Sequence, residues 1–183
     1  MTNAMTSNWI NEEYKDINST GLYLYYMAQI YETRNFTVET PTDKPPHISR
    51  EDGGHLIIRP KKKVSDRTRL DRKKACELMK LSMVIGEAFQ TAMKKQGVDI
   101  GRINYQDNGN WVVFKPGGPH LHIHVYGRAK SAKIQKYGEA LYFPQRSTGF
   151  YDKNKPLTPE DILEIQKQIK IVMKKKKYKE WKA

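Results

Sequence analysis

Hydrophobic and polar positions alternate most clearly where Leu121, Ile123 and Val125 interleave with His120, His122 and His124, ahead of Tyr126. Period-two alternation predicts a β-strand, with the aliphatic residues facing the core and the three imidazoles in a row on the other face. Gly117, Gly118 and Pro119 lead in and Gly127 follows, so turn residues mark both ends. Shorter alternating stretches predict strands at residues 36–40, 55–60, 101–107 and 111–114, the last two joined by an Asn108-Gly109 hairpin turn. Helical spacing governs residues 71–96. Asp71 can cap the start, Ala75, Leu78, Ser82, Ile85, Phe89 and Ala92 trace one face, and Gly97 can close the end. A second helix starts from a Thr158 cap with Pro159 at its first position and carries Ile162, Ile165, Ile169, Val172 and Met173 as its stripe. Upstream, Leu22, Tyr25, Tyr26, Gln29, Ile30 and Thr33 predict a helix over residues 21–34, behind a polar arm at 1–20. Residues 41–52, with three prolines, read as a loop, as does the aromatic-rich stretch at 129–156. Few strands with one long and one C-terminal helix make an α+β class. The chain divides into an arm and helix at 1–35, a core at 36–130, and an aromatic loop with a basic helix at 131–183 that packs with the core as one domain.

Charge changes the picture more than composition does. With 183 residues, 38% of them hydrophobic, one domain with an ample core is expected. The net charge of +13 favours anionic partners such as nucleotides or polyphosphates, with nucleic acid possible but not favoured. Lys174 to Lys177 place four of these cations at the end of the second helix, where they also suit its dipole. The single cysteine, Cys76, falls inside the long helix and reads as a buried thiol, and no Cys-x-x-Cys pair exists to hold zinc. No apolar run reaches the length of a membrane span and the start lacks a signal-peptide core, so a cytoplasmic protein is expected. No Walker motif is present.

Three aligned imidazoles support three readings: a polar solvated face, a metal site, or nucleophilic catalysis by the central histidine. Against the metal reading, the outer two lie roughly 13 Å apart along a strand, too far to grip one ion without a further ligand.

The stretch His120-Leu121-His122-Ile123-His124-Val125-Tyr126 resembles the motif of the histidine triad (HIT) family. Gly54-His55-Leu56-Ile57-Ile58-Arg59-Pro60-Lys61-Lys62 resembles that family's upstream histidine, strand, proline and lysine. The long helix and the strand and turn at 101–109 follow in the family's order, and Arg128 follows the triad as a basic residue often does. The resemblance covers about residues 36–130. It implies an antiparallel sheet of about five strands with a long central helix, and a homodimer paired through that helix and a sheet edge.

For activity it implies hydrolysis or nucleotidyl transfer at the α-phosphate of a dinucleoside polyphosphate, nucleoside phosphoramidate or related adenylated compound. His122 is then the nucleophile, His124 a donor to phosphate oxygens, and His120 and His55 the groups that fix ring orientation. The nucleophile's other ring nitrogen donates to a backbone carbonyl. An ordinary imidazole, titrating at about 6.5, is largely unprotonated at neutral pH. No cofactor is required, although a divalent cation can accompany the polyphosphate, and no metal ligand set is assigned. Glu39, Gln106, Asn108, Asn110 and Lys115 are the candidate substrate contacts. Where relatives carry Gly-Gln-Ser/Thr-Val, this chain has Lys115-Pro116-Gly117-Gly118-Pro119. Gly117 and Gly118 are therefore expected to offer backbone N–H groups in place of the missing side-chain donors. A nucleotide- or RNA-binding module with weak or no turnover is the second function class. His47, a lone histidine in the proline loop, receives no role.

Overall fold

A computed structural model of the protein describes residues 29–41, 45–107, 112 and 116–181. Five strands form one antiparallel sheet: β1 (Gln29–Glu32), β2 (Phe36–Glu39), β3 (His55–Pro60), β4 (Ile100–Gln106) and β5 (Ile123–Ala129), in the spatial order β1-β2-β3-β5-β4. The triad strand β5 is central, between β3 and the edge strand β4. Three helices follow the chain: α1 (Arg72–Lys95), α2 (Pro159–Met173) and the single turn α3 (Lys176–Lys179). α1 lies against β4 and β5, and α2 against α1 and β1, all on one face of the sheet. The core sits in that layer, where Phe36, Val38, Leu56, Ile58 and Val125 meet Ile85, Phe89, Ile165 and Ile169. The opposite face is left to the histidines.

Local chemistry accounts for the helix ends. Asp71 accepts from the backbone N–H of Lys74, and Gly97 follows α1 with φ of 82°. Thr158 and Asp161 cap α2 reciprocally, each side chain accepting the other's backbone N–H. Asp161 also receives Arg50 at 2.6 and 2.8 Å, and Arg50 donates to the carbonyl of Gln96, so the loop before β3 ties the two long helices together.

Several expectations need correction. Residues 29–32, predicted as the end of a helix, are strand β1, paired with β2. Ile30 is buried there in the core, and closing the sheet overrides the helical spacing. Residues 1–28 lie outside the described residues, as does most of the 108–115 stretch, including the Asn108-Gly109 turn and all of the 111–114 strand except Val112. The buried face of α1 is Leu81, Val84, Ile85, Ala88, Phe89, Ala92 and Met93, whereas Ala75 is exposed and Leu78, Ser82 and Cys76 are only partly covered. The first two turns of α1 are tied down mainly by polar bonds, Glu77 accepting from Thr33 and Asn35, and only Leu78 there packs partly on the core. His120 and His122 precede β5 rather than belonging to it. Their stretch is pinned by the Leu121 N–H to the Val64 carbonyl at 2.6 Å and by the buried Leu121 side chain. No helix among the described residues is long and apolar enough to cross a membrane.

Candidate active site

Strand register assembles the site. Opposite His124 stand Ile57 of β3 and Gln106 of β4, and opposite Tyr126 stand His55 and Asn104. Directly paired residues share a face, so these side chains all point away from the helices. The imidazoles form a continuous row. Ring centroids are 5.1 Å apart from His120 to His122, 4.6 Å from His122 to His124, and 5.0 Å from His124 to His55.

Hydrogen bonds fix the tautomers. His122 Nδ1 lies 2.9 Å from the backbone oxygen of His120. A carbonyl only accepts, so Nδ1 carries the proton and Nε2 holds a free lone pair. Arg59 Nη1 lies 3.3 Å from His120 Nε2, and a guanidinium only donates, so that nitrogen accepts. His55 Nε2 and His124 Nδ1 share one proton across 2.9 Å. The other nitrogen of His55, Nδ1, is buried with no partner among the described residues. Leaving a lone pair there is cheaper than burying an unmet N–H. His55 therefore donates to His124, which keeps its own proton on Nε2.

Burial decides the charge state. It holds His55 well below the ordinary imidazole range, helped by positive charge on His124, His47, Arg59 and Arg146. His124 is pushed down to about 3, by burial first and then by His122, His47 and Arg59. His120 is lowered by burial and by His122, Arg59 and Lys63. His55, His124 and His120 are thus built to stay neutral, and hydrogen bonding sets the Nε2 lone pair of His122 beside an N–H at His124.

His47, given no role from sequence, is part of this cluster. Its ring stacks 5.7 Å from His55, lies 6.1 Å from His124, and contacts Phe143 and Tyr151 at 5.5 and 5.2 Å. Its Nδ1 is 3.4 Å from the Tyr126 hydroxyl. The long loop after β5 makes the cover. The Asp52 carboxylate accepts the backbone N–H groups of Lys133, Ile134 and Gln135, while Arg128 donates to the carbonyls of Lys136 and Glu139. Phe143 and Tyr151 face the cluster, but Tyr142 is exposed.

The remaining candidates are less gathered. Glu39 is buried on the site face and ion-paired to Arg59. The Gln106 amide oxygen is buried, without a partner among the described residues. Asn108, Asn110 and Lys115 lie outside the described residues. Gly117 and Gly118 have φ of 89° and 60°, and a Cβ at Gly118 would meet nothing within 4 Å. Their backbone conformation is by itself sufficient reason for glycine, apart from any approach by phosphate. Arg59 and His47 are the residues that sequence reasoning missed. Arg59 was findable, because it shares a strand face with His55 at period two, whereas eight residues of loop hid His47.

Residues 47–131 match the family model of the HIT domain. Over that stretch the chain is similar to a HIT domain. Solved structures agree in fold. A hypothetical histidine triad nucleotide-binding protein from Sulfolobus tokodaii superposes with a TM-score of 0.52 at 17% identity, over 83% of this chain and 89% of that one. A HIT protein from Sinorhizobium meliloti gives 0.54 at 16% identity, over 79% and 88%. A zinc-bound histidine triad family protein from Mycobacterium smegmatis gives 0.50 at 19%, over 79% and 84%. No curated protein matches the chain by sequence. His47, His55 and the triad all fall within the matched stretch, whereas Glu39 and most of the covering loop fall outside it. Among the described residues no group of three or more His, Cys, Asp or Glu is arranged to hold a metal ion. The imidazoles lie in a row and do not converge on one point.

Proposed function

We propose that the protein is a cytoplasmic HIT-type nucleotide hydrolase or nucleotidyl transferase acting at the α-phosphate of an adenylated compound. The observation that carries this reading is the bond from His122 Nδ1 to the His120 carbonyl, which leaves Nε2 of the central histidine free to attack. Attack forms a phosphorus–nitrogen bond as the bond to the leaving group breaks, and the leaving group departs with the electron pair. His124, neutral and protonated on Nε2, donates to a phosphate oxygen as charge builds there. His55 holds that tautomer, and His120 positions His122 through its carbonyl. Water then attacks phosphorus, breaks the bond to nitrogen and releases a nucleoside monophosphate. The divalent ion that accompanies a polyphosphate belongs to the substrate.

Alkali-quenched single turnovers on diadenosine tetraphosphate and adenosine phosphoramidate test the reading. A phosphohistidine-type adduct at His122, found by mass spectrometry, is expected, and release of AMP from neither compound would overturn it. A second reading, nucleotide binding with weak turnover, draws on Gly117 and Gly118, which bring no side-chain donor to the approach of the triad. Gly117→Ser separates the two: an impaired site gains activity from the added hydroxyl, and one with its own backbone donors does not.

A further inference from the structure

Arg59 has no part in the mechanism above. It occupies the site face of β3, two positions beyond Ile57 and four beyond His55. Its Nε is paired with the buried carboxylate of Glu39, and its Nη1 reaches His120. The Arg59 side chain stays 29% exposed. Glu39 thus anchors one edge of a permanently charged group and leaves the other facing the triad. Lys63 stands on the same side, with its Nζ on the carbonyl of Gly117 in the turn that enters the triad. The two ends of the imidazole row therefore differ. The His55 end is closed by His47, Phe143 and Tyr151, and the His120 end is flanked by a guanidinium and an ammonium. His120, held neutral there, takes up none of the negative charge those cations can bind.

We infer that Arg59, aimed by Glu39 and seconded by Lys63, holds the anionic leaving group. The preferred substrate is then a phosphoanhydride with further phosphates beyond the attacked phosphorus, in preference to a phosphoramidate or an ester with an uncharged leaving group. The inference rests on the reading of His122 as nucleophile. When His122 Nε2 bonds to phosphorus and the bridging P–O bond breaks, the electron pair stays on the bridging oxygen. The departing phosphate gains that charge beside Arg59, where a guanidinium bond stabilises it most.

Binding and turnover test it separately. Calorimetry with AMP and with ATP in magnesium-free buffer should show wild type preferring ATP by on the order of tenfold or more, as charge-assisted bonds to added phosphates imply. Arg59→Met should bring the two affinities together, and Arg59→Lys should restore part of the difference. Arg59→Met/Glu39→Gln, which leaves no carboxylate buried without its partner, should behave like Arg59→Met and guards against misfolding. In turnover, Arg59→Met should lower kcat/KM for diadenosine tetraphosphate about 30-fold more than for adenosine phosphoramidate. Equal wild-type affinity for AMP and ATP, or equal losses on both substrates, overturns the inference. If wild type prefers ATP but releases AMP from neither compound, the hydrolase reading falls while the polyphosphate corner stands.

Discussion

At the scale of the residue, one carbonyl orders the site, because the His120 oxygen can only accept and so fixes which nitrogen of His122 is bare. Removing that nitrogen removes chemistry and little binding. His122→Ala should abolish AMP release while nucleotide affinity stays within roughly tenfold, and retention of more than a few per cent of the rate would show another nucleophile. The buried neutral imidazoles also set an acid limit. His55 and His124 titrate lower in the folded chain than in the unfolded one, so the unfolded state takes up protons first as pH falls. Their contribution is intact above about pH 6.5 and falls away as pH drops, at up to about 1.4 kcal/mol per pH unit for a group, until for His124 it is gone near 3. Denaturant titrations at pH 7.5 and 5 should show that loss, and His55→Gln should flatten it. A flat profile in wild type would mean that these rings are hydrated. The triad was legible because histidine at period two is a rare way to build a strand face. His47 was not, because only tertiary packing brings the proline loop over His55.

At the scale of the element, α1, α2 and the strands from β2 onward were readable from spacing and caps, and β1 was not. Its four residues satisfy a helical stripe as well as an alternation, and only the partner β2 decides between them. A close join of backbone on backbone was equally hidden. A Cβ on Gly127 would lie 2.2 Å from the backbone oxygen of Gly53, and one on Gly53 2.4 Å from backbone atoms of Gly127. Gly127 donates its N–H to Gly54, so the loop entering β3 lies directly on the triad strand. No side chain can rotate to relieve that overlap. Gly127→Ala should lower stability by about 3 kcal/mol, read as a fall in the denaturation midpoint, and a loss under 0.5 would show that the two backbones can part.

At the scale of the whole molecule, the positive charge is partly spent internally. Glu87 on α1 takes Lys175 and Lys177 together with the Tyr178 hydroxyl, so the lysine run is fastened to the body rather than trailing free. Beside it, Met79 and Met83 of α1 are exposed at 55% and 38%, and Tyr105 of the edge strand β4 at 46%. We propose that this helix and edge pair two copies of the chain. Sedimentation should give a dimer at micromolar concentration and a monomer for Met83→Glu, and a monomeric wild type would refute the pairing. The covering loop carries a last consequence. Asp52 and Arg128 hold it through its peptide groups, one collecting N–H bonds and the other carbonyls, so at the exposed residues 133, 134, 136 and 139 its course does not depend on which amino acid is present, while the buried Gln135 amide clamps the backbone of Tyr142. Shape and spelling are uncoupled there. Descendants of this gene can rewrite the lid, and with it the range of compounds admitted, without renegotiating the fold.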